Sequence, residues 1–230
     1  MLIATYSIFN EIDVIEQSIC SVIPLVSHFI FIDGAYEGYP SDQDHSTDGT
    51  IEKIQETLGD KATIIRAPRS YAPKRRLYEL EKRNLYLFYA QKHFTEKDWF
   101  FHIDGDEVFE GDATEIQQMT AIPNLALGRI NIRYTDGRSG QATRLFKLSI
   151  PRMHYWRSHF ELWDIYGQYV TNCYPSVILQ NCCLSHLRHK RNPQRLSEAD
   201  YFRGILANQE SNNFGDPDIL ANDPYTENHP

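Results

Sequence analysis

Four short apolar runs, separated by amphipathic or polar stretches, constrain this chain more than any other feature: LIATYSI (Leu2 to Ile8), HFIFID ending at Asp33, ATIIRAP (Ala62 to Pro68) and DWFFHI (Asp98 to Ile103). Strands of this length alternating with helical patterns are the signature of βαβ units and a mostly parallel sheet. Val14, Ile15, Ser18, Ile19 and Val22 recur at helical spacing behind Asn10, which predicts a helix capped by Asn10 with Asp13 at its third position. Ile51, Ile54 and Leu58 predict a second helix, with Ser46 or Thr47 as its cap, and a long amphipathic helix is expected from about Lys74 to Phe94. GAYEGYPSDQDHSTDGT has no period and is crowded with Gly, Asp, Ser and Pro, so it reads as a loop.

After Gly111 the pattern changes to longer, antiparallel-looking runs, ALGRINIRYTDGRSGQATRLFKLS, with Asp136-Gly137 as the turn. A helix is expected over Pro193 to Leu206, and an extended or disordered polar tail over Gln209 to Pro230. The fold class predicted is α/β, a mostly parallel sheet flanked by helices with a smaller antiparallel C-terminal part. Residues 1–208 are expected to form one domain, in halves 1–110 and 111–208, followed by the tail 209–230.

A formal net charge of −8 argues against general affinity for nucleic acid, which needs a basic face. Lys74-Arg75-Arg76 and the run Arg188 to Arg195 are local basic clusters suited to a small anion. No apolar run approaches the roughly 20 residues of a membrane helix. The opening MLIATYSIFNEIDVIEQ carries carboxylates where a signal peptide carries basic residues, so a cytoplasmic location is expected, with peripheral membrane contact left open. Cys20, Cys173, Cys182 and Cys183 show no CxxC spacing and read as reduced, mostly structural thiols.

The fourth apolar run ends in FFHIDGDEVFEG, Phe100 to Gly111. In open α/β sheets the ligand crevice lies outside the carboxyl ends of the strands, which brings Tyr6 and Ser7, Asp33, and Asp104 with Asp106 into one region. Asp104 and Asp106 would face the same side of an extended backbone, and their mutual repulsion makes a divalent ion, Mg²⁺ or Mn²⁺, the economical partner. Such an ion commonly binds substrate phosphates in its remaining positions, so handling of a diphosphate is implied. A turn followed by a helix cap is the alternative reading. An EF-hand-like loop fails, because Val108 and Phe109 occupy its fifth position and its required glycine. His186 ends another apolar run and is a candidate further metal ligand, since imidazole accepts a borderline ion.

Several stretches together resemble the GT-A fold of nucleotide-diphospho-sugar transferases, of the inverting family-2 type. TYSIFNEIDVIEQSICSV resembles the first strand and helix of that family, and FIDGAYEGYPSDQDHSTDGT its strand ending in Asp followed by Ser-x-Asp-Gly-Thr. Arg83-Asn84 resembles the Arg-Asn ahead of the metal motif, and Asp104-Gly105-Asp106 the DxD itself. TRLFKLSIPRMHYWRSHFEL and CLSHLRHKRNPQRLSEADYF resemble later segments, so the likeness extends from Leu2 to about Phe202. Phe160 separates His159 from Glu161 where a subgroup has His-Glu adjacent, and Gly-Ala follows Asp33 where a second acid is usual.

The resemblance implies metal-dependent, inverting transfer of a sugar from a nucleotide diphosphate, UDP-sugar favoured, to a carbohydrate acceptor hydroxyl. Residues 1–110 would be the nucleotide-binding half and 111–208 the acceptor-binding half. It implies base or ribose contacts for Thr5, Tyr6 and Asp33, with strand packing the alternative for Thr5 and Tyr6. Arg83 would pair a carboxylate or phosphate, Asp104 would contact ribose or metal-bound water, and Asp106 would bind the metal. Arg188, His189, Lys190 and Arg191 would neutralise the departing diphosphate. Glu161 is the candidate base, with Asp164 in reserve, beside Trp156, Phe160 and Trp163. A noncatalytic, metal-dependent nucleotide- or sugar-binding module whose carboxylates hold a structural ion stays open, as does a sugar-phosphate nucleotidyltransferase, although TYSIFNE lacks the Gly-rich loop usual in the latter.

Overall fold

The computed structural model describes residues 1–35, 41–69, 75–156, 161–187, 190, 191, 193, 196 and 197, with only the backbone over 75–79. The predicted helix over 193–206 and the tail from 209 lie largely or wholly outside the described residues.

The chain alternates β1 (Leu2–Ile8), α1 (Ile15–Val22), β2 (His28–Asp33), α2 (Thr50–Leu58), β3 (Ala62–Arg66), α3 (Arg75–His93) and β4 (Trp99–His102). It then runs through β5 (Glu107–Gly111), α4 (Ala113–Thr120), β6 (Leu127–Arg133) and β7 (Ser139–Lys147). A short ribbon of β8 (His154–Tyr155) and β9 (Leu162–Trp163), the single-turn α5 (Val170–Cys173) and β10 (Ser176–His186) complete it. One eight-stranded sheet has the order β3-β2-β1-β4-β7-β6-β10-β5. Four of its seven neighbour pairs are parallel, namely β3/β2, β2/β1, β1/β4 and β6/β10. The antiparallel strands extend this same sheet, and the β8–β9 ribbon is a separate two-stranded sheet.

The apolar runs are continuous because β1, β2 and β4 are covered on both faces. Ala4, Tyr6, Phe29, Phe31 and Phe101 pack with Ile15, Ile19 and Ile54 of α1 and α2. Ile3, Ile30, Ile32 and Phe100 pack with Tyr86, Leu87 and Ala90 of α3 on the opposite face. Each such Ile or Phe contributes roughly 1.5–3 kcal/mol by leaving water.

Helix entry differs from the expectation at both early helices. Asn10 does not cap α1: the helix begins at Ile15, and Asn10 sits at a left-handed φ of 52°. Its backbone N–H donates to Ser46 Oγ (2.9 Å), and its side-chain carbonyl accepts the Thr47 N–H (3.0 Å). Ser46 and Thr47 likewise do not cap α2. Gly49 turns into that helix at φ 96°, and Asp48 accepts both the N–H and the hydroxyl of Thr50 (3.0 and 2.6 Å). Contacts between the two loops have displaced local capping.

The Asp136-Gly137 turn is observed, with Gly137 at φ 83° between β6 and β7. Among the described residues all four cysteines are free, and no helix is long and apolar enough to cross a membrane.

Candidate functional site

The strand order reverses between β1 and β4, the position at which the carboxyl ends of the strands of an open α/β sheet ordinarily border a ligand crevice. β4 delivers His102 and Asp104 there, β2 delivers Asp33, and the β10–β5 ladder places His186 opposite Glu107. Asp104 to Glu107 form a turn, not the extended run expected. The Glu107 N–H donates to the Asp104 carbonyl (2.9 Å), and the Asp104 N–H donates to Glu107 Oε2 (2.8 Å).

The turn sends the two aspartates to different partners. Asp104 meets Arg83 Nη2 (3.3 Å) and Arg144 Nη2 (3.2 Å). Asp106 meets His186 Nδ1 (3.7 Å) and Arg191 Nη1 (3.5 Å). Glu107, fully buried, pairs with Arg144 (2.6 Å) and lies 3.4 Å from His186 Nε2. Arg191 also grips Glu11 through two nitrogens (3.0 and 2.7 Å). Four carboxylates are thus countered by three guanidiniums and one imidazole.

These contacts set the protonation states. Burial alone would raise Asp104, but Arg144, His102 and Arg83 hold it well below the usual carboxylate range. Burial likewise opposes ionisation of Asp106, and His186 with Arg191 overcomes it. Burial, reinforced by Asp104, pushes Glu107 up to about 7 against the pull of Arg144. Burial lowers His186, yet Asp106 and Glu107 outweigh it and raise the ring. His102 is driven down to about 3 by burial and then by Arg83, so it is neutral. Its Nε2 lies against Arg83 and 3.1 Å from Asp104 Oδ1, and its Nδ1 is 3.0 Å from the Tyr86 hydroxyl.

The charge repulsion expected to demand a divalent ion is therefore relieved by the protein's own cations. Among the described residues no three His, Cys, Asp or Glu side chains gather as a metal cage. Asp106 and His186 nonetheless bring an oxygen and a nitrogen within 3.7 Å. That pair suits an ion such as Mn²⁺ or Mg²⁺, which uses one or two protein ligands and completes its shell with water and phosphate.

Asp33 is fully buried and accepts the Ser46 N–H (3.0 Å) and hydroxyl (2.6 Å). The Glu11 N–H donates to Thr50 Oγ1 (2.8 Å), so Asn10-Glu11, Asp33 and the Ser46 to Thr50 segment form one clasp. Thr5 and Tyr6 have no exposed surface. Thr5 Oγ1 donates to the Phe101 carbonyl (3.5 Å), while Tyr6 stacks on Phe31 and accepts from Ser18 Oγ (3.4 Å). Asn84, beside Arg83, exchanges hydrogen bonds with the backbone of Tyr155 in both directions (3.1 and 2.7 Å), docking α3 on β8.

Glu161 is half-buried and its carbonyl accepts the Trp156 N–H (3.1 Å). Asp164 closes a turn, accepting N–H groups from Tyr166 and Gln168 (both 2.9 Å) and the Tyr174 hydroxyl (2.8 Å). Trp156 meets Trp163 edge to face at 5.1 Å. Lys190 is exposed and donates to Gln17 (2.6 Å), and Arg188, His189, His159 and Phe160 lie outside the described residues.

Glu11, Lys82, Glu107, Arg144 and Arg191 belong to this region and had no assigned role or a different one. Glu107 and Glu11 were visible as neighbours of the acidic and Asn-Glu motifs, and Arg144 stands in the Arg-Leu-Phe stretch. Lys82 had no signal: it is a buried lysine on α3 whose Nζ donates to the Gly34 carbonyl, and burial draws it down to about 7. Beside these charges lies a cavity of about 500 Å³, lined in part by Arg83, His102, Arg129, Arg144, Tyr155 and Tyr169.

No protein-family model matches the sequence, and no curated protein matches it. Among solved structures the chain is similar to that titled "Crystal structure of S. aureus TarS 1-349", with a TM-score of 0.42 and 13% identity. That match covers 65% of this chain and 47% of the other, so the chain matches about half of that structure's length. The likeness is distant, and the functional reading rests on the residues of the chain itself.

Proposed function

We propose that this chain is a metal-dependent inverting glycosyltransferase that moves a sugar from a nucleoside diphosphate, UDP-sugar favoured, to an acceptor hydroxyl. The observation that carries the reading is the convergence of Asp104, Asp106, Glu107 and His186 on the switch-point crevice, beside an arginine-lined cavity. The ordered resemblance from Asn10-Glu11 to Asp104-Gly105-Asp106 supports it.

In this reading Asp106 and His186 would hold Mn²⁺ or Mg²⁺, and Asp104 would contact the ribose or a water of the ion's shell. When bound, the ion supplies positive charge to the departing diphosphate. Asp33 braces the Ser46 loop that meets the base and ribose. Arg83 and Arg144 keep Asp104 ionised and fixed in place. The Glu161 carboxylate takes the proton of the acceptor hydroxyl, whose oxygen bonds to the anomeric carbon. The bond from that carbon to the diphosphate breaks, and its electron pair leaves with the nucleoside diphosphate. Asp164 acts as a positioning residue by shaping the adjoining turn, and Arg188 and Lys190 meet the leaving group.

A thermal-shift panel of UDP, GDP, dTDP and CMP with Mn²⁺, Mg²⁺ or chelator tests this, because a ligand of the folded state raises stability by mass action. The expected result is stabilisation by UDP with Mn²⁺ that chelator removes and Asp106→Asn abolishes. No shift with any nucleotide refutes the reading. One observation favours a second reading, a noncatalytic nucleotide-binding module: Asp104, Asp106 and Glu107 each already have a guanidinium partner. Nucleotide binding that is indifferent to chelator, with no release of nucleoside diphosphate from any donor, selects that reading instead.

A further inference from the structure

We propose that the cavity between the β6–β7 hairpin, the β8–β9 ribbon and α5 is an oxyanion subsite that seats a phosphate-class group carried by the acceptor. Arg83, Arg129 and Arg144 line it together with His102, and among the described residues no carboxylate is in its lining. Arg144 owes its place to a β-bulge. Leu145 pairs with Gly128 and Thr143 with Arg129, so Arg144 is the extra residue, and a bulge of this kind re-aims a side chain. Its Nη2 serves Asp104 and Glu107, while its Nε is buried without a hydrogen-bond partner among the described residues. Buried guanidinium N–H groups are ordinarily satisfied, and an oxyanion that drew the Arg144 side chain toward the cavity would satisfy this one.

Arg129 strengthens the case. It is half-buried on β6 across from Thr143, and no hydrogen bond or ion pair to it is found among the described residues. Its neighbour on the same face, Arg133, is paired with Glu110 (3.0 Å), so Arg129 is the guanidinium left for a ligand. Arg129 and Gln141 also line a second, open groove of about 850 Å³ that runs over the polar face of β5, β6, β7 and β10. A ligand anchored by its anionic end in the cavity can lay a polar body along that groove, on Asn131, Ser139 and Asn181. The groove lies over β5, β6, β7 and β10, and the cavity adds His102 of β4 and Arg83 of α3 to its wall, with β1 between β4 and the strand that carries Asp33. The subsite is argued from this lining alone, and only its assignment to the acceptor rests on the transferase reading.

Calorimetric titration of the full chain with inorganic phosphate, and separately with UDP in the presence of Mn²⁺, tests it. The wild type is expected to bind phosphate, and both Arg129→Gln and Thr143→Glu to weaken that binding at least tenfold while UDP affinity changes less than twofold. Arg129→Lys is expected to recover part of the loss, and thermal melts confirm that each variant is folded. Equal loss of phosphate and UDP binding would assign the cavity to the donor diphosphate and overturn the acceptor assignment. Absence of phosphate binding by the wild type, or binding that the folded variants retain, would overturn the subsite. Phosphate binding lost in the variants, with UDP bound by none of the proteins, would uphold the subsite and remove the nucleotide-sugar reading.

Discussion

Ser46 shows how a motif residue can be wholly employed inside the protein. Its hydroxyl donates to Asp33 while accepting the Asn10 N–H, and its own N–H also goes to Asp33. Ser46→Ala would leave Asp33 buried with one hydrogen bond fewer, so a loss of about 1–3 kcal/mol is expected in chemical denaturation. Retained stability would mean that Asp33 finds water instead. The types Asn10, Asp33, Ser46 and Asp48 were legible as loop and strand-end residues. The bonding of Asn10 to Ser46 and Thr47, of Asp33 to Ser46 and of Asp48 to Ile12 was not, because it spans up to 37 positions and depends on how two loops meet. The same limit hid Arg144, whose direction is set by a bulge that leaves no trace in local composition.

At the scale of elements, the early strands were legible because burial on both faces demands unbroken apolar runs. The observed β1 and β2 match LIATYSI and HFIFID residue for residue. Helix starts were less so, since a cap is only one of several uses for an Asn or Ser hydrogen bond. The β5–β10 ladder supplies a sharper test. Gly111 sits at φ 122°, and a Cβ there would lie 2.0 Å from the Asn181 carbonyl oxygen. Gly111→Ala is expected to cost about 2–4 kcal/mol through backbone strain and displacement of β10. Because His186 closes that ladder opposite Glu107, the metal-dependent nucleotide binding proposed above should weaken as well. Thermal melting with and without UDP and Mn²⁺ reads both effects, and an unchanged melting temperature would contradict them.

For the molecule as a whole, Lys82 couples the α3 layer to the sheet and makes stability depend on pH. Its pKa is about 7 when folded, against an ordinary 10.5. Between those values the unfolded chain holds the extra proton, so stability rises as pH rises through that window. From pH 7 to pH 9 the gain from this group is about 2 kcal/mol. Urea denaturation should show that rise in the wild type and its loss in Lys82→Met. A flat wild-type profile would place the Lys82 ammonium in contact with water.

Apolar periodicity in the sequence by itself determined the α/β class, the four parallel strands and their intervening helices, because burying such faces admits few arrangements. It also placed Asp33 at the end of β2 and Asp104 just past the end of β4. The tertiary structure alone decided what those carboxylates face. Arg83, Arg144, Arg191 and His186 come from α3, β7, the segment after β10 and β10 itself. Electrostatic pairing acts through space at a few ångströms, and sequence separation carries no information about that distance. The cationic cavity at Arg129 and Arg144 is likewise a product of tertiary packing and one bulge.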